Sequence, residues 1–525
     1  MIIMKEEQNM QIDFKKETLH LSEMKWNQSA TLLAEGDVIV PDVKPDIREI
    51  LLTEASAHIT SRDQSEGKLN VAGTVLVRIL YIPDEDASVP KSMEAKFDFK
   101  DSFDMPVDEA LDCNVKCSTE HIEFSMINSR KLNVKVVVAV SCRGYSKRDL
   151  ELAADAADSD VLKVRKKPFG AYQVVADTSR EFVITESLEV PSAKPDIDEV
   201  IKLDARAVKG DCKIMSGKIL LKGTLMMNTL YAGLDAEGGI ECMEHELAFS
   251  EMADIEGLGD DCLCNVTYEV KNVYWTVKED VNGDARIVSL DIVLRADITA
   301  SRTVEGEVID DCYSTAGTAD IKSERVRLDE LLSEGVSHES IKEIVEIPEG
   351  LPPANVIYSL ECKPKVQEIA IADEKVMIKG KLIAFVLYGS TEGENAMYSL
   401  VREFEFEHSV AVDGIDETAF CECGVTEQGS SFTLNAASEI ELRSILEFYI
   451  RALKKNEIDV ISGCEVDEEA AEAKQHGMII YFVQSGDTVW DIAKRYRTDC
   501  EKIIALNKLD NTRLLAGQKI LIPGM

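Results

Sequence analysis

The sequence predicts a mainly β fold: three tandem β-rich repeat domains, sandwich or barrel-like, followed by a small β-α-α-β module. Three observations carry this reading. Two ten-residue stretches, VPDVKPDIRE (40–49) and VPSAKPDIDE (190–199), stand 150 positions apart, and self-similarity at a fixed spacing means duplicated domains. Each copy contains a segment whose apolar residues alternate with period two, the pattern of a half-buried strand. After Leu453 the aromatic and apolar periodicity stops, and a differently charged unit follows.

The offset of 150 places Gly73 on Gly223, Thr74 on Thr224, Leu80 on Leu230 and Tyr81 on Tyr231 without a gap. A third copy lies 157 positions beyond the second, with Pro191 and Pro195 falling on Pro348 and Pro352, Gly223 on Gly380 and Tyr231 on Tyr388. There KPDI has become LPPA. The strand ending in each tyrosine runs Leu69, Val71, Gly73, Val75, Val77, Ile79, Tyr81 in the first copy and Val376, Ile378, Gly380, Leu382, Ala384, Val386, Tyr388 in the third. Its internal glycine indicates a bulge, or a close approach where a Cβ would clash. Further strands are expected in KLNVKVVVAVSCRGY (131–145), DARIVSLDIVLRADITASR (284–302) and SFTLNAASEIELRSILEFYIRAL (431–453).

KPDI itself reads as a turn leading into a short helix. Asp46 with Glu49, and Asp196 with Glu199, have the spacing of a capping box, with apolar residues behind them. Pro45 and Pro195 hold the preceding chain extended. A catalytic carboxylate pair is disfavoured, because the third copy drops both acids and keeps the prolines; a protein-contact surface is the remaining alternative.

Composition narrows the function classes. With 525 residues the chain should hold about three or four domains. It carries 58 basic and 97 acidic residues, a formal −39, which repels phosphate backbones and anionic membranes. No N-terminal signal and no long uncharged apolar run is legible, so a soluble cytosolic chain is expected, without membrane insertion. Thirteen cysteines, an odd number, suit a reducing compartment better than a disulfide framework. They recur in LDCNVKC (Cys113, Cys117), DCLCNV (Cys262, Cys264) and CECGV (Cys421, Cys423), and are read as buried thiols beside strands, since no usual spacing of further ligands accompanies them. No phosphate-binding loop, zinc-protease helix, nucleophile elbow or dinucleotide fingerprint is present. HELAF (245–249) lacks a second histidine. No catalytic residue, metal or cofactor is predicted.

Residues 454–477 are acidic and without aromatic residues, and read as a linker. Residues 478–525 carry seven Lys/Arg and five Asp/Glu, a formal +2 that leaves −41 on the rest. IIYFVQSGDT reads as a strand ending in a Gly-Asp turn. Thr488 with Asp491 opens one helix, Thr498 with Glu501 a second that Asn507 ends, and KILIP is a last strand stopped by Pro523. On these residues, YFVQSGDTVWDIAKRYRTDCEKIIALNKLDNTRLLAGQKILIP (481–523) resembles a LysM domain, departing at Arg497 and Ala516 from the glycine and proline common there. The resemblance implies a shallow N-acetylglucosamine groove at Gly486, Asp487, Thr488, Val489, Asn507 and Leu509; the same residues also serve the turn, the cap and the core.

Three β repeats with an internal glycine, the first two carrying VP-x-x-KPDI, followed by one LysM, resemble the SipL-like family of clostridial spore-coat morphogenetic proteins, whose repeats are called SPOCS domains. The domains are then expected at 1–155, 156–315 and 316–453 for the repeats, 454–477 for the acidic linker and 478–525 for the LysM. The resemblance implies a non-enzymatic scaffold in the mother-cell cytoplasm at the forespore surface. Its partner would be the ATPase of the coat's basement layer, bound through the LysM, with other coat proteins or self-association possible. Val489, Trp490, Arg497, Lys502 and Lys508 are the candidate contacts: a tryptophan anchor with a basic rim. A peptidoglycan-binding protein of the spore envelope is the alternative.

Overall fold

The computed structural model describes residues 9–65, 67–84, 89–107, 111–156, 161–215, 217–234, 239–436, 439–467, 477–509 and 513–523. A short strand β1 (Asn9–Ile12) precedes the first repeat, which comprises β2 (Phe14–Ile39), β3 (Ile47–Ser65), β4 (Lys68–Pro83), β5 (Lys91–Asp104), β6 (Asp112–Asn128) and β7 (Lys131–Ala156). The second comprises β8 (Leu162–Glu189), β9 (Ile197–Lys209), β10 (Lys213–Met215), β11 (Lys218–Gly233), β12 (Ile240–Asp254), β13 (Leu263–Glu279) and β14 (Ala285–Ser314). The third comprises β15 (Thr318–Glu346), β16 (Val356–Ala372), β17 (Lys375–Gly389), β18 (Tyr398–Ala411), β19 (Phe420–Ala436) and β20 (Glu439–Asp467). The chain closes with β21 (Met478–Phe482), α1 (Val489–Arg495), α2 (Cys500–Asn507) and β22 (Lys519–Pro523).

Each repeat is an antiparallel sandwich. In the first, β2-β7-β6 faces β3-β4-β5; in the second, β8-β14-β13 faces β9-β11-β12, with β10 on β11; in the third, β15-β20-β19 faces β16-β17-β18. The alternating residues read from the sequence, such as Val71, Val75, Val77 and Ile79, are the core of the first sandwich, against Val134, Val136 and Val138 of the facing sheet. At the glycine an aromatic ring lies over the strand. An added Cβ would stand 2.2 Å from the Phe99 ring and 2.5 Å from the His58 oxygen at Gly73, 2.5 Å from Phe249 and from the Val208 oxygen at Gly223, and 2.4 Å from the Lys365 oxygen at Gly380. The bulge sits on the partner strand, after Ile59 in the first repeat and after Val366 in the third.

The corner before this sheet differs from the sequence reading. Residues 47–65 and 197–209 are strands, with no helix and no capping box. VP-x-x-K is a β-turn, closed by Lys44 N–H to the Pro41 oxygen and by its equivalents from Lys194 to Pro191 and Leu351 to Pro348. Asp46 accepts instead from Ser129 Oγ at 2.8 Å and from Arg130 at 2.6 Å, and Asp196 is ion-paired with Arg286. Each arginine also binds the carbonyls of the turn, including those of Val40 and Pro41 or of Val190 and Pro191. With the aspartate committed to a distant cation, no cap remains to start a helix. The conserved geometry of all three corners comes from the tyrosine. Tyr81, Tyr231 and Tyr388 are buried and donate to the carbonyls of Pro45, Pro195 and Pro352 at 3.0, 3.1 and 3.1 Å.

The three long hairpins β2/β7, β8/β14 and β15/β20 continue past their sandwiches. They bulge at Lys25, Val175 and Leu332, again 150 and 157 apart, and once more at Ala154, Asp310 and Ser462. Beyond the first bulge they have no facing sheet of their own. They pack on one another, so that Leu19, Leu21, Leu150 and Leu152, then Phe169, Ala171 and Val308, then Val326, Leu328, Ile458 and Val460 make one core. Residues 454–467, read from sequence as the start of a linker, are the end of β20, paired with β15 throughout. Their acidic residues face outward while Ile458, Val460, Ile461, Cys464 and Val466 are buried. The rest of the expected linker, 468–476, lies outside the described residues. The end of β20 also pairs with β1, Asn9 opposite Asp467 and Ile12 opposite Cys464.

The second sheets of the three repeats meet as well, with Leu80, Leu230 and Leu387 in one cluster, an approximate threefold arrangement. Beside it lie Glu54, Asp204 and Glu361, at the same offsets, interleaved with Lys202 and Lys363. Lys202 is 3.2 Å from Glu54 and pairs with Asp204, and Lys363 is 3.7 Å from Glu54 and 3.1 Å from Glu361. Burial works against the Glu54 carboxylate, but the two lysines outweigh it and hold its pKa down to about 2. Burial raises Glu361 to about 7, with Lys363 opposing the rise and the charge of Glu54 adding to it.

Two outcomes are expected. In Gly223→Ala, the new Cβ meets a backbone oxygen that cannot rotate away, and a loss of about 2 kcal/mol is expected in denaturant unfolding of the second repeat. A raised carboxyl pKa means that the folded state binds the proton more tightly, so the Glu361 contribution is present below the unfolded pKa and lost as pH rises towards about 7. The Tm difference between Glu361→Gln and the wild type should therefore shift in favour of the variant from about pH 5 to about pH 8; a difference independent of pH would contradict the assignment.

Candidate functional site

The C-terminal module is built from a two-stranded sheet and two short helices. β21 and β22 pair antiparallel, from Met478 opposite Pro523 to Phe482 opposite Lys519. Thr488 caps α1 in a reciprocal box with Asp491, as the sequence predicts. The second cap is Asp499 rather than Thr498: its carboxylate accepts from the Glu501 N–H, while Thr498 is buried. Val483, Val489, Ile492, Ala493, Ile503, Ile520 and Ile522 form the module's core, and Tyr313 from the end of β14 belongs to the same cluster.

That tyrosine begins a seat on which the module rests. The Tyr313 ring meets Trp490 edge to face at 4.9 Å, and its hydroxyl donates to the Thr498 carbonyl at 2.7 Å. Trp490 Nε1 donates to Asp311 Oδ2 at 2.8 Å, and Lys494 donates to the other Asp311 oxygen at 2.6 Å. The Arg165 guanidinium stands 5.6 Å from the centre of the tryptophan ring, and Lys163 pairs with Asp499 at 2.7 Å. Burial works against the Asp311 carboxylate, but the hydrogen bonds from Lys494 and Trp490 prevail and hold its pKa below the usual range. Nothing near Asp311 or Tyr313 in the sequence signals this role, because their partners lie in another unit of the chain.

The five residues expected at a partner interface are thus divided. Trp490 and Arg497 face the seat, Arg497 donating to Thr318 Oγ1 at 2.8 Å, and Val489 is buried. Lys502 and Lys508 are exposed, Lys508 as the left-handed cap of α2. Of the expected glycan groove, Gly486 and Thr488 are exposed. Asp487 accepts from the Tyr481 hydroxyl at 2.7 Å and the Gln484 N–H at 2.8 Å, and these bonds lower its pKa. Asn507 is committed to the scaffold, donating to the Ile503 and Leu521 carbonyls and accepting from the Leu521 N–H. Leu509 is half-buried against the module core. The outer sheet face carries three exposed apolar side chains, Met478, Ile480 and Phe482.

One arrangement elsewhere has the order of a catalytic triad. His408 lies between Ser337 Oγ at 2.8 Å and Glu339 Oε2 at 2.7 Å. Its ring is stacked on Phe448 at 4.1 Å inside the third sandwich. Both ring nitrogens tie β18 to β15, which is the geometry of a satisfied structural histidine. The cysteine pairs lie on or beside β6, β13 and β19, and burial lifts the thiols of Cys117, Cys264 and Cys423 to about 11. Among the described residues no group of three or more His, Cys, Asp or Glu converges as a metal site, and no helix is long and apolar enough to cross a membrane.

The seat predicts a measurable coupling. Asp311→Ala leaves the indole N–H without its acceptor, an expected loss of about 2 kcal/mol; half-exposed Lys494 adds less because water screens it. With Trp26 and Trp275 replaced by Phe, Trp490 emission should shift to the red at lower denaturant concentration in this variant.

Comparison with known proteins agrees with these units. The model of the SipL, SPOCS domain matches residues 46–127, 196–278 and 353–435, and that of the LysM domain matches 481–523. An uncharacterized protein of Bacillus subtilis strain 168, YkzQ, is 44% identical over 43 residues, which are 8% of this chain and 57% of that protein. The chain thus spans little more than half the length of that curated relative, and only with its terminal module. No solved structure matches. The matched segments cover more than half of the chain, and the domains are those of sporulation-related proteins. The chain belongs to the SipL family, with three SPOCS domains followed by one LysM domain.

Proposed function

We propose that this protein is a non-enzymatic scaffold of spore-coat assembly, which docks through its LysM domain on the ATPase of the coat basement layer at the forespore surface. The observation that carries this reading is the division of charge. A module of formal +2 sits at one end of an array of −41, so the two parts suit different partners. The three SPOCS repeats, taken as 1–155, 156–315 and 316–453, would remain available to other coat proteins or to further copies of the chain.

The seat changes which surface serves this docking. With Trp490 and Arg497 turned towards Asp311, Tyr313 and Thr318, the contacts offered outward are Lys502 and Lys508 together with the apolar row Met478, Ile480 and Phe482. An apolar strip with basic residues on the same module suits a partner with an apolar and acidic surface. The alternative, peptidoglycan binding, draws support from the exposed Gly486 and Thr488 at the turn before α1. Asn507 counts against it, because both of its amide hydrogens are already donated within the module and its oxygen already accepts from Leu521.

Capture of the ATPase from sporulating cells tests the proposal. Full-length chain should retain it, a chain ending at residue 477 should lose it, and Lys502→Glu with Lys508→Glu should weaken it with an altered salt dependence. Undiminished capture by the shortened chain would overturn the docking proposal. Retention of the full chain on purified cortex, without ATPase capture, would favour the glycan reading.

A further inference from the structure

Two cysteines meet where the second and third repeats join. Cys312 lies in β14 between the two seat residues Asp311 and Tyr313, and Cys464 lies near the end of β20. Both side chains are buried, at 0% and 2% exposure, in one cluster with Leu162, Ile309, Ile461 and Val466. Each thiol is the largest influence on the other's titration, as neighbours in that cluster. Successive residues of a strand point to opposite faces, so Cys312 looks into the shared core while its two neighbours hold the LysM.

The contact spans two separate sheets. β14 pairs with β8 and β13, and β20 with β15, β19 and β1, so packing alone joins the two hairpins here. The first of the sequence-paired couples cannot behave in this way. Cys113 and Cys117 are four residues apart on one strand, and a rise of about 3.3 Å per residue keeps them beyond disulfide reach.

We propose that Cys312 and Cys464 are a redox pair that hydrogen peroxide closes into a disulfide, stapling the second repeat to the third directly under the LysM seat. The mutual influence of the two thiols sets the order of events. It lowers the pKa of Cys464 and raises that of Cys312, so the Cys464 thiolate is the nucleophile. Its sulfur attacks one peroxide oxygen, the O–O bond breaks, and sulfenic acid and hydroxide form. The Cys312 sulfur then attacks the Cys464 sulfur, the S–O bond breaks and hydroxide leaves. In total the two thiols give up two electrons and two protons, and one peroxide becomes two waters. Peroxide is small and neutral, as a buried pair requires.

The test is peroxide treatment of the reduced full-length chain, followed by alkylation and mass spectrometry of the digest. A peptide linking Cys312 to Cys464, removed by dithiothreitol, is expected. In Cys312→Ser, dimedone should trap a sulfenic acid at Cys464; in Cys464→Ser, Cys312 should be recovered as a free thiol. Recovery of both thiols alkylated in the treated wild type, independent oxidation of both, or bonds from either to other cysteines would each overturn the proposal. Cys312→Ala and Cys464→Ala, which keep the site apolar, guard against a polarity effect of serine on the core.

Discussion

A two-stranded ribbon cannot bury both of its faces, and three such ribbons make the centre of this protein. Past the bulges at Lys25, Val175 and Leu332, each long hairpin has lost the sheet that covered it. An isolated hairpin is marginal in water; here each finds its missing cover in the other two, through Leu152, Phe169, Val326, Ile458 and their neighbours. The repeats are therefore parts of one body rather than beads on a string. This constraint explains why the third copy, which has lost KPDI, keeps its tyrosine, its glycine and its bulge: those features set the sandwich and the reach of the ribbon. The acids of KPDI only tie one corner to Arg130 or Arg286.

The same constraint gives the LysM its place. Where the ribbons end, β14 presents Asp311 and Tyr313, and an aromatic edge, two hydrogen bonds to one carboxylate and an ion pair to Lys163 fix the module there. A tryptophan that would serve as an anchor for an outside protein is used within the chain. The charge division that distinguishes the module from the repeats thus acts first intramolecularly, since basic Lys494 meets an acidic repeat.

Much of the fold was legible because β structure writes its period locally. The alternation ending at Tyr81, the glycine under an aromatic ring and the offsets of 150 and 157 all translate into position without knowledge of distant partners. What failed was each feature decided at long range. Asp46-x-x-Glu49 fits a helical cap equally well until Arg130 claims the aspartate. Residues 454–467 looked like a linker because they are acidic and lack aromatics, although Ile458, Val460, Cys464 and Val466 carry the alternation of a strand. In the LysM the turn, the first cap and both strands were readable from sequence. The seat was not, because Trp490 and Asp311 are brought together only by the folding of everything between them.

The pairing of β1 with the end of β20 bears on the order in which the molecule can be made. A ribosome releases Asn9–Ile12 first and Cys464–Asp467 more than four hundred residues later, yet these segments are neighbours in the finished sheet. Domains generally fold as units while synthesis proceeds, so the first two sandwiches can form as they emerge. Their ribbons must wait, partly uncovered, for the third. During that interval the growing chain exposes an apolar surface that the complete protein hides, and a chain broken off before residue 467 would keep it exposed.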